Sequence, residues 1–223
     1  MNPILKRIIT ALFVAAVVVT AIVYAPPAAI SPVVAVLATL AIVEYGQLLK
    51  RKIAPKSAAY TFWVLVGAVA ILALLSALPV IAAVYGNLIM LYVIAIIKIS
   101  DMGGFAFGMS SAKLMKGGNH KLCPTISPNK SWEGLFGSVF ASCVISSAFM
   151  PITHFGVGKS LILGVVAALV GTLGDLVESK FKRWVGVKDS STMKFTNGMG
   201  GVLDMLDSLL IAPAVIAAII KYL

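Results

Sequence analysis

Residues 57–97 read SAAYTFWVLVGAVAILALLSALPVIAAVYGNLIMLYVIAII, 41 consecutive residues without a charge. About 20 apolar residues in a helix cross the hydrocarbon core of a bilayer, so this stretch is long enough to cross twice, and Pro79 marks the expected turn. In lipid the backbone must satisfy its own hydrogen bonds, and the reading that follows is helical. The rest of the chain agrees. Of 223 residues, 60% are hydrophobic and only 12% are charged, with a mean hydropathy of +1.03. These values exclude a water-soluble enzyme and a disordered chain.

Working outward, Ile8 to Ala25 is an uncharged span behind Lys6 and Arg7, with no convincing cleavage site after it. Pro26-Pro27 breaks it, and Ala28 to Leu49 returns, ending at the basic cluster Lys50, Arg51, Lys52 and Lys56. Beyond the 57–97 pair, a polar loop is expected over 98–133. A fifth span follows over Gly134–Met150, a sixth over Ser160 to about Ser179, and a seventh over Val202–Tyr222. The expected fold is an all-α polytopic bundle of about seven transmembrane helices. Residues 1–97 supply about four of them, and 98–223 form the functional region with polar loops at 98–133 and 180–201.

Placing the N-terminus in the cytoplasm puts Lys6, Arg7, the 50–56 cluster, Lys98 to Lys130 and Lys180 to Lys194 on one side. That is 16 of the 18 basic residues, leaving Lys159 and Lys221 opposite. Lys and Arg are retained on the cytoplasmic face, so the pattern predicts N-in and C-out. The net charge of +10 is read as these loops facing anionic headgroups or a phosphorylated substrate, with no nucleic acid as partner. Cys123 and Cys143 are the only cysteines, one in the basic loop and one in an apolar run, which indicates neither a disulfide framework nor a cysteine metal site.

The acidic residues are Glu44, Asp101, Glu133, Asp175, Glu178, Asp189, Asp204 and Asp207. The sixth span has 15 uncharged residues from Ser160 to Gly174, and the seventh 13 from Ser208 to Ile220. Neither crosses unless its carboxylates are included, which puts Asp175, Asp204 and Asp207 at the cytoplasmic boundary of the membrane. Ionised groups at that depth mark a functional site. Asp175, Glu178, Ser179 and Lys182 stand at i, i+3, i+4 and i+7, on one helix face, and Asp204, Asp207 and Ser208 repeat the pattern. Three carboxylates facing one another repel, and a hard divalent cation such as Mg²⁺ is the ordinary remedy. Lys180, Lys182, Arg183 and Lys188 add positive charge. Gly198, Gly200 and Gly201 precede the last helix, where backbone N–H groups can approach a phosphate.

Plainer readings stand beside these. Lys180 to Lys188 can be a solvated positive loop. Asp204 and Asp207 can complement a helix dipole. Ser127-Pro128 can be a helix cap followed by a first-turn proline. Glu44 can pair with a nearby lysine, and His120 and His154 lack ligand spacing.

Ser179-Lys-Phe-Lys-Arg183, Lys188-Asp189 and Gly200-Gly-Val-Leu-Asp204 with Asp207-Ser208 follow one another in the order S-x-hydrophobic-K-R, K-D and G-G-x-x-D-x-x-D. With Gly174-Asp175-Leu-Val-Glu-Ser179, Ser127-Pro-Asn-Lys-Ser-Trp-Glu-Gly134 and Lys98-Ile-Ser-Asp101, the stretch from about Lys98 to Ser208 resembles the phosphatidate cytidylyltransferase (CDP-diglyceride synthetase) family. The resemblance implies transfer of the cytidylyl group of CTP to phosphatidate, giving CDP-diacylglycerol and pyrophosphate. It implies Asp175, Asp204 and Asp207 as Mg²⁺ ligands and catalytic groups together with Lys182, with a monovalent companion ion left open. Ser179, Lys182 and Arg183 would bind phosphates, and Lys188 and Asp189 would shape the nucleotide loop. Ser127, Asn129, Lys130 and Ser131, with Gly200 and Gly201, are further substrate contacts by analogy. An integral protein of a bacterial cytoplasmic (inner) membrane is implied, active site toward the cytoplasm, with a homodimer left open.

The chain departs from the family pattern at Met199 and Met205, where His and Arg are usual, which makes Lys194 a candidate for the missing charge. The alternatives are another CTP-using lipid enzyme, such as an archaeal-lipid cytidylyltransferase or a polyprenol or phytol kinase, and a small cation-coupled transporter.

Overall fold

A computed structural model describes residues 16–17, 19–115, 118–188, 190 and 201–222. The chain runs through α1 (Pro27–Leu49), α2 (Ala58–Leu75), α3 (Ala77–Tyr85), α4 (Asn87–Leu114), β1 (Lys121–Cys123), β2 (Ser127–Ser131), α5 (Trp132–Ala148), α6 (Met150–Thr153), α7 (Val157–Val185) and α8 (Val202–Tyr222). The architecture is helical, as expected, apart from one antiparallel hairpin that pairs Lys121 with Ser131 and Cys123 with Ser127.

Five stretches among the described residues are long and apolar enough to cross a membrane: Pro27–Leu49, Ala58–Tyr85, Asn87–Leu114, Val157–Val185 and Val202–Tyr222. Phe62, Val66, Val69, Leu161, Leu173 and Val177 are exposed on their outer faces, a surface that suits lipid and not water. The chain is an integral membrane protein. The expected count of seven is met by five here, because the first span lies mostly outside the described residues and α5, at 17 residues, is short.

Three expected boundaries move. The turn in the 57–97 stretch is at Gly86, whose φ of 90° suits glycine, and Pro79 sits in the first turn of α3 where its missing N–H costs nothing. The expected 98–133 loop is helical as far as Leu114, so α4 is a 28-residue helix that carries Lys98 and Asp101 on its polar half, and the boundary set at 97 falls inside it. Likewise the expected 180–201 loop is helical to Val185, where Gly186 with φ 80° ends α7 in a left-handed turn.

Small residues let α4 pass close to α5. A Cβ added at Gly103 would lie 2.6 Å from the carbonyl oxygen of Gly137, and one at Gly137 would lie 2.8 Å from that of Gly103. α4 and α5 therefore cross backbone to backbone, the small-residue packing typical of membrane helices. Buried hydroxyls bind the bundle further: Tyr92 Oη lies 2.7 Å from Ser146 Oγ, which donates to Ser160 O at 2.6 Å, and Ser142 Oγ donates to Ile96 O at 3.2 Å. At the far end Asn87 Nδ2 donates to the carbonyls of Ile22 and Ala25, 2.7 Å each. The apolar core, with Ile96, Ile97, Leu163, Ala167 and Ile216 fully buried, separates that end from the charged one.

Candidate active site

The charged end is built from the polar half of α4, the hairpin, the last turns of α7 and the first turns of α8. Ser131, not Ser127, caps α5: its Oγ accepts from Gly134 N at 3.1 Å, while Ser127 and Pro128 open strand β2. In β2, Lys130 stands just before this capping serine. Lys130 reaches across to α7 and pairs with Asp175 Oδ2 at 2.5 Å. Between them lies a cavity of about 300 Å³ lined by Ser127, Asn129, Lys130 and Ser131 of the hairpin, Asp101 and Phe105 of α4, and Thr172 and Asp175 of α7. The segment singled out by analogy thus meets Asp175 across a single cavity.

A second centre surrounds Lys182. Its Nζ lies 2.6 Å from Glu178 Oε2, one turn back on α7, and 2.6 Å from Asp204 Oδ1 on α8. All three side chains are largely buried. Asp204 Oδ2 accepts from Gly201 N at 2.9 Å and from Ser190 N at 3.0 Å, so Asp204 closes the N-terminus of its own helix in the manner of a capping box. The dipole-complementing reading of Asp204 therefore holds together with its ion pair. Gly201's N–H, offered by the sequence to a phosphate, is engaged internally.

Sequence reasoning missed a third centre. Lys98 Nζ donates to Met205 O at 3.1 Å and to Ser208 Oγ at 2.9 Å, and Ser208 Oγ donates to Asp101 Oδ2 at 2.8 Å. The signal was present in Lys98-Ile-Ser-Asp101, whose i, i+3 spacing puts both charges on one face, but assigning the segment to a loop hid it. Asp207, whose Oδ1 accepts from Ser208 N at 2.6 Å, adjoins the serine that binds Asp101 and backs onto α7 one residue from Asp175. Gly174 permits this approach, since a Cβ there would lie 2.6 Å from Asp207 O.

The three expected metal carboxylates are thus divided. Asp175 and Asp207 share a neighbourhood with Asp101, whereas Asp204 belongs with Glu178 and Lys182. Among the described residues no three acidic, His or Cys side chains converge as a ready metal cage. The donor chemistry nevertheless fits a hard cation, because Asp175 Oδ1 and Glu178 Oε1 are buried oxygens with no hydrogen-bond partner in a region crowded with like charge.

Of the other expected residues, Ser179 is half-buried on α7, Arg183 donates from Nη1 to Val187 O at 3.3 Å at the helix end, and Lys188 is exposed. Asp189, Gly200, Met199 and Lys194 lie outside the described residues. At the base of the hairpin, Glu133 accepts from His120 N at 3.1 Å and lies 2.6 Å from His120 Nδ1. The His120 ring and nearby backbone N–H groups hold its carboxyl down to about 2.

The sequence pattern of the Cytidylyltransferase family matches residues 56–223, three quarters of the chain and the whole of this charged end. The chain belongs to the Cytidylyltransferase family. Its relatives include the phosphatidate cytidylyltransferases of Staphylococcus aureus (strain COL), 44% identical over 120 residues, and of Staphylococcus epidermidis (strain ATCC 12228 / FDA PCI 1200), 41% identical over 120 residues. That of Staphylococcus saprophyticus is 40% identical over the same length. In each case the match covers 53% of this chain and 43% of the relative, so the chain spans under half the length of the curated relatives it matches. For a cytidylyltransferase family member, lysines placed against carboxylates at a membrane boundary suit polyphosphate chemistry: phosphate oxygens can replace carboxylates on the amines, and the released carboxylates can take a cation.

Proposed function

We propose that the chain transfers the cytidylyl group of CTP to phosphatidate, forming CDP-diacylglycerol and pyrophosphate. The observation that carries this reading is the gathering of Lys130–Asp175 and Lys182–Asp204 at one end of the bundle, in a chain of the Cytidylyltransferase family. In the reaction a phosphate oxygen of phosphatidate bonds to the α-phosphorus of CTP, the bond from that phosphorus to the bridging oxygen of the β-phosphate breaks, and pyrophosphate leaves with the electron pair. No base is required, because a phosphate monoester with a second pKa near 6 is already largely dianionic at neutral pH.

Lys130 and Lys182 hold and neutralise phosphate oxygens, with Ser179 and Arg183 beside them on α7. Ser127, Asn129 and Ser131 line the side of the cavity that receives the nucleotide, and the family resemblance adds Lys188, Asp189, Gly200 and Gly201 as substrate-binding residues. Asp175 and Asp207 would hold Mg²⁺, joined by Asp204 once substrate phosphate replaces it on Lys182 Nζ; a monovalent companion is left open. When bound, the cation neutralises phosphate oxygens and stabilises the developing charge. The carboxylates order the amines before substrate arrives, which is the preorganisation that electrostatic catalysis depends on.

The site faces the cytoplasm of a bacterial inner membrane, N-terminus in and C-terminus out, and the unit is a single chain or a homodimer. The one-sided basic residues support this orientation. A cysteine placed at Lys188 should resist an impermeant reagent applied outside intact cells, and ready labelling would reverse the topology. For the reaction, purified protein with Mg²⁺, phosphatidate and radiolabelled CTP should yield labelled CDP-diacylglycerol. Label reaching lipid only when a polyprenol or phytol replaces phosphatidate, or never, would overturn the assignment.

A further inference from the structure

Glu44 lies on α1, outside the family-matched residues 56–223, and is fully buried. A carboxylate in that position demands donors, and it finds them on the other side of the bundle. Leu203 N, in the first turn of α8, donates to Glu44 Oε2 at 2.8 Å, and Ser190 Oγ donates to the same oxygen at 3.4 Å. Ser190 Oγ in turn accepts from Asp204 N at 3.3 Å, and Ser190 N donates to Asp204 Oδ2. The first four N–H groups of a helix have no intrahelical partner. At α8 three donors around that terminus are taken by side chains: Gly201 N by Asp204, Leu203 N by Glu44, and Asp204 N by Ser190. The negative charge of Glu44 also suits the positive end of the helix dipole.

Gly201 completes the picture. A Cβ there would lie 2.5 Å from Glu44 Oε2 and would also strike Ser190 Oγ. The second glycine of the Gly200-Gly201 pair therefore makes room for two side chains that fix the helix start.

We propose that Glu44 is a positioning residue for the active site: from α1 it fixes the first turn of α8, and with it the direction in which Asp204 meets Lys182. It contacts no reacting atom. Its effect passes through Leu203 and Ser190 to a carboxylate whose Oδ1 must stay within reach of Lys182 Nζ. Helix α1 is on this account part of the catalytic framework and more than a membrane anchor.

The test compares Glu44→Gln, Glu44→Asp and Glu44→Ala in the full chain, reconstituted in lipid. Glutamine keeps an oxygen acceptor at the same distance for Leu203 N. Aspartate keeps the charge but is one methylene too short. The first readout is hydrogen exchange at the amides of 202–205, which does not depend on any assigned reaction. Exchange should be near wild-type in Glu44→Gln and at least tenfold faster in Glu44→Asp and Glu44→Ala. The second, which rests on the cytidylyl-transfer reading, is turnover per folded molecule. We expect kcat within threefold of wild-type for Glu44→Gln and at least tenfold lower for Glu44→Asp, with the KM for CTP changed less than kcat. A merely structural role would lower the yield of folded protein and leave kcat per folded molecule unchanged. Unaltered exchange, or unaltered kcat in folded Glu44→Asp, overturns the proposal. Glutamine as damaging as aspartate also overturns it. Absence of turnover in the wild-type overturns the reaction assignment alone, and the exchange result still decides the role of Glu44.

Discussion

Replacing Lys182 by Met tests the charged end at its most exposed energetic point. Lys182 Nζ sits 2.6 Å from both Glu178 and Asp204, and the three side chains are 13%, 5% and 18% exposed. Methionine keeps the length of the side chain and removes the charge, leaving two carboxylates facing each other with little water. Removing one partner of a buried pair typically costs about 3–5 kcal/mol. Set against the roughly 5–15 kcal/mol by which a folded chain is stable, this is a large fraction. At roughly 2–4 °C per kcal/mol for a chain of this size, the thermal midpoint should fall by about 6–20 °C. Converting Glu178 to Gln in the same molecule removes one of the stranded charges and should recover more than half of that loss, whereas Glu178→Gln alone should cost about 1–2 kcal/mol because Lys182 keeps Asp204. The assay is thermal unfolding of the four proteins in one lipid or detergent, read as a double-mutant cycle. A Lys182→Met midpoint within 2 °C of wild-type, or a double variant no better than the single, would refute the argument that the lysine holds the two acids together.

Asp175→Asn should leave the protein inserted and folded while lowering turnover at saturating Mg²⁺ by at least a hundredfold, about 2.7 kcal/mol of transition-state stabilisation, and near-normal initial rates would contradict its role. Gly103→Ala gains about 1 kcal/mol in helix propensity, yet its Cβ would meet Gly137 O at 2.6 Å, so a net loss of about 1–3 kcal/mol in thermal unfolding is expected and a stabilised variant would count against the close crossing. Because the Glu133 carboxyl is held down, its ionised form stabilises the hairpin at every pH above the ordinary value of 4.5, and that contribution disappears as pH falls toward about 2. Glu133→Gln should therefore speed hydrogen exchange at His120 N at pH 7, and an unchanged rate would dissociate the carboxylate from hairpin order.

How much of this could be read in the sequence depended on whether a residue's role was local. Val202 as the start of the last helix and the Asp175, Glu178, Lys182 face follow from spacing along one helix, and the structure retains both. The expected turn at Pro79 failed because a proline in a first turn is compatible with helix, while the actual break needs the positive φ of Gly86. Lys98 to Leu114 looked like a loop because three charges and three glycines interrupt the apolar pattern. Those glycines answer to α5, a partner that no local window contains. Glu44 shows the same limit more sharply. Its nearest charges in sequence are Lys50 and Arg51, but two of its partners are 146 and 159 residues away.

The crossing of α4 and α5 also decides where the polar cavity can give way. Its wall beside Asp101 and Gly104 rests on a close crossing, in which Gly103 and Gly137 meet each other's main chain and the Ser138 side chain fits against Gly104. The facing wall is the hairpin, joined to α7 through the partly exposed Lys130–Asp175 pair. The cavity thus has one wall set by close helix packing and one held to α7 by a pair of side chains. A designer seeking a roomier pocket would alter residues 121–131 and leave the glycines of α4 alone.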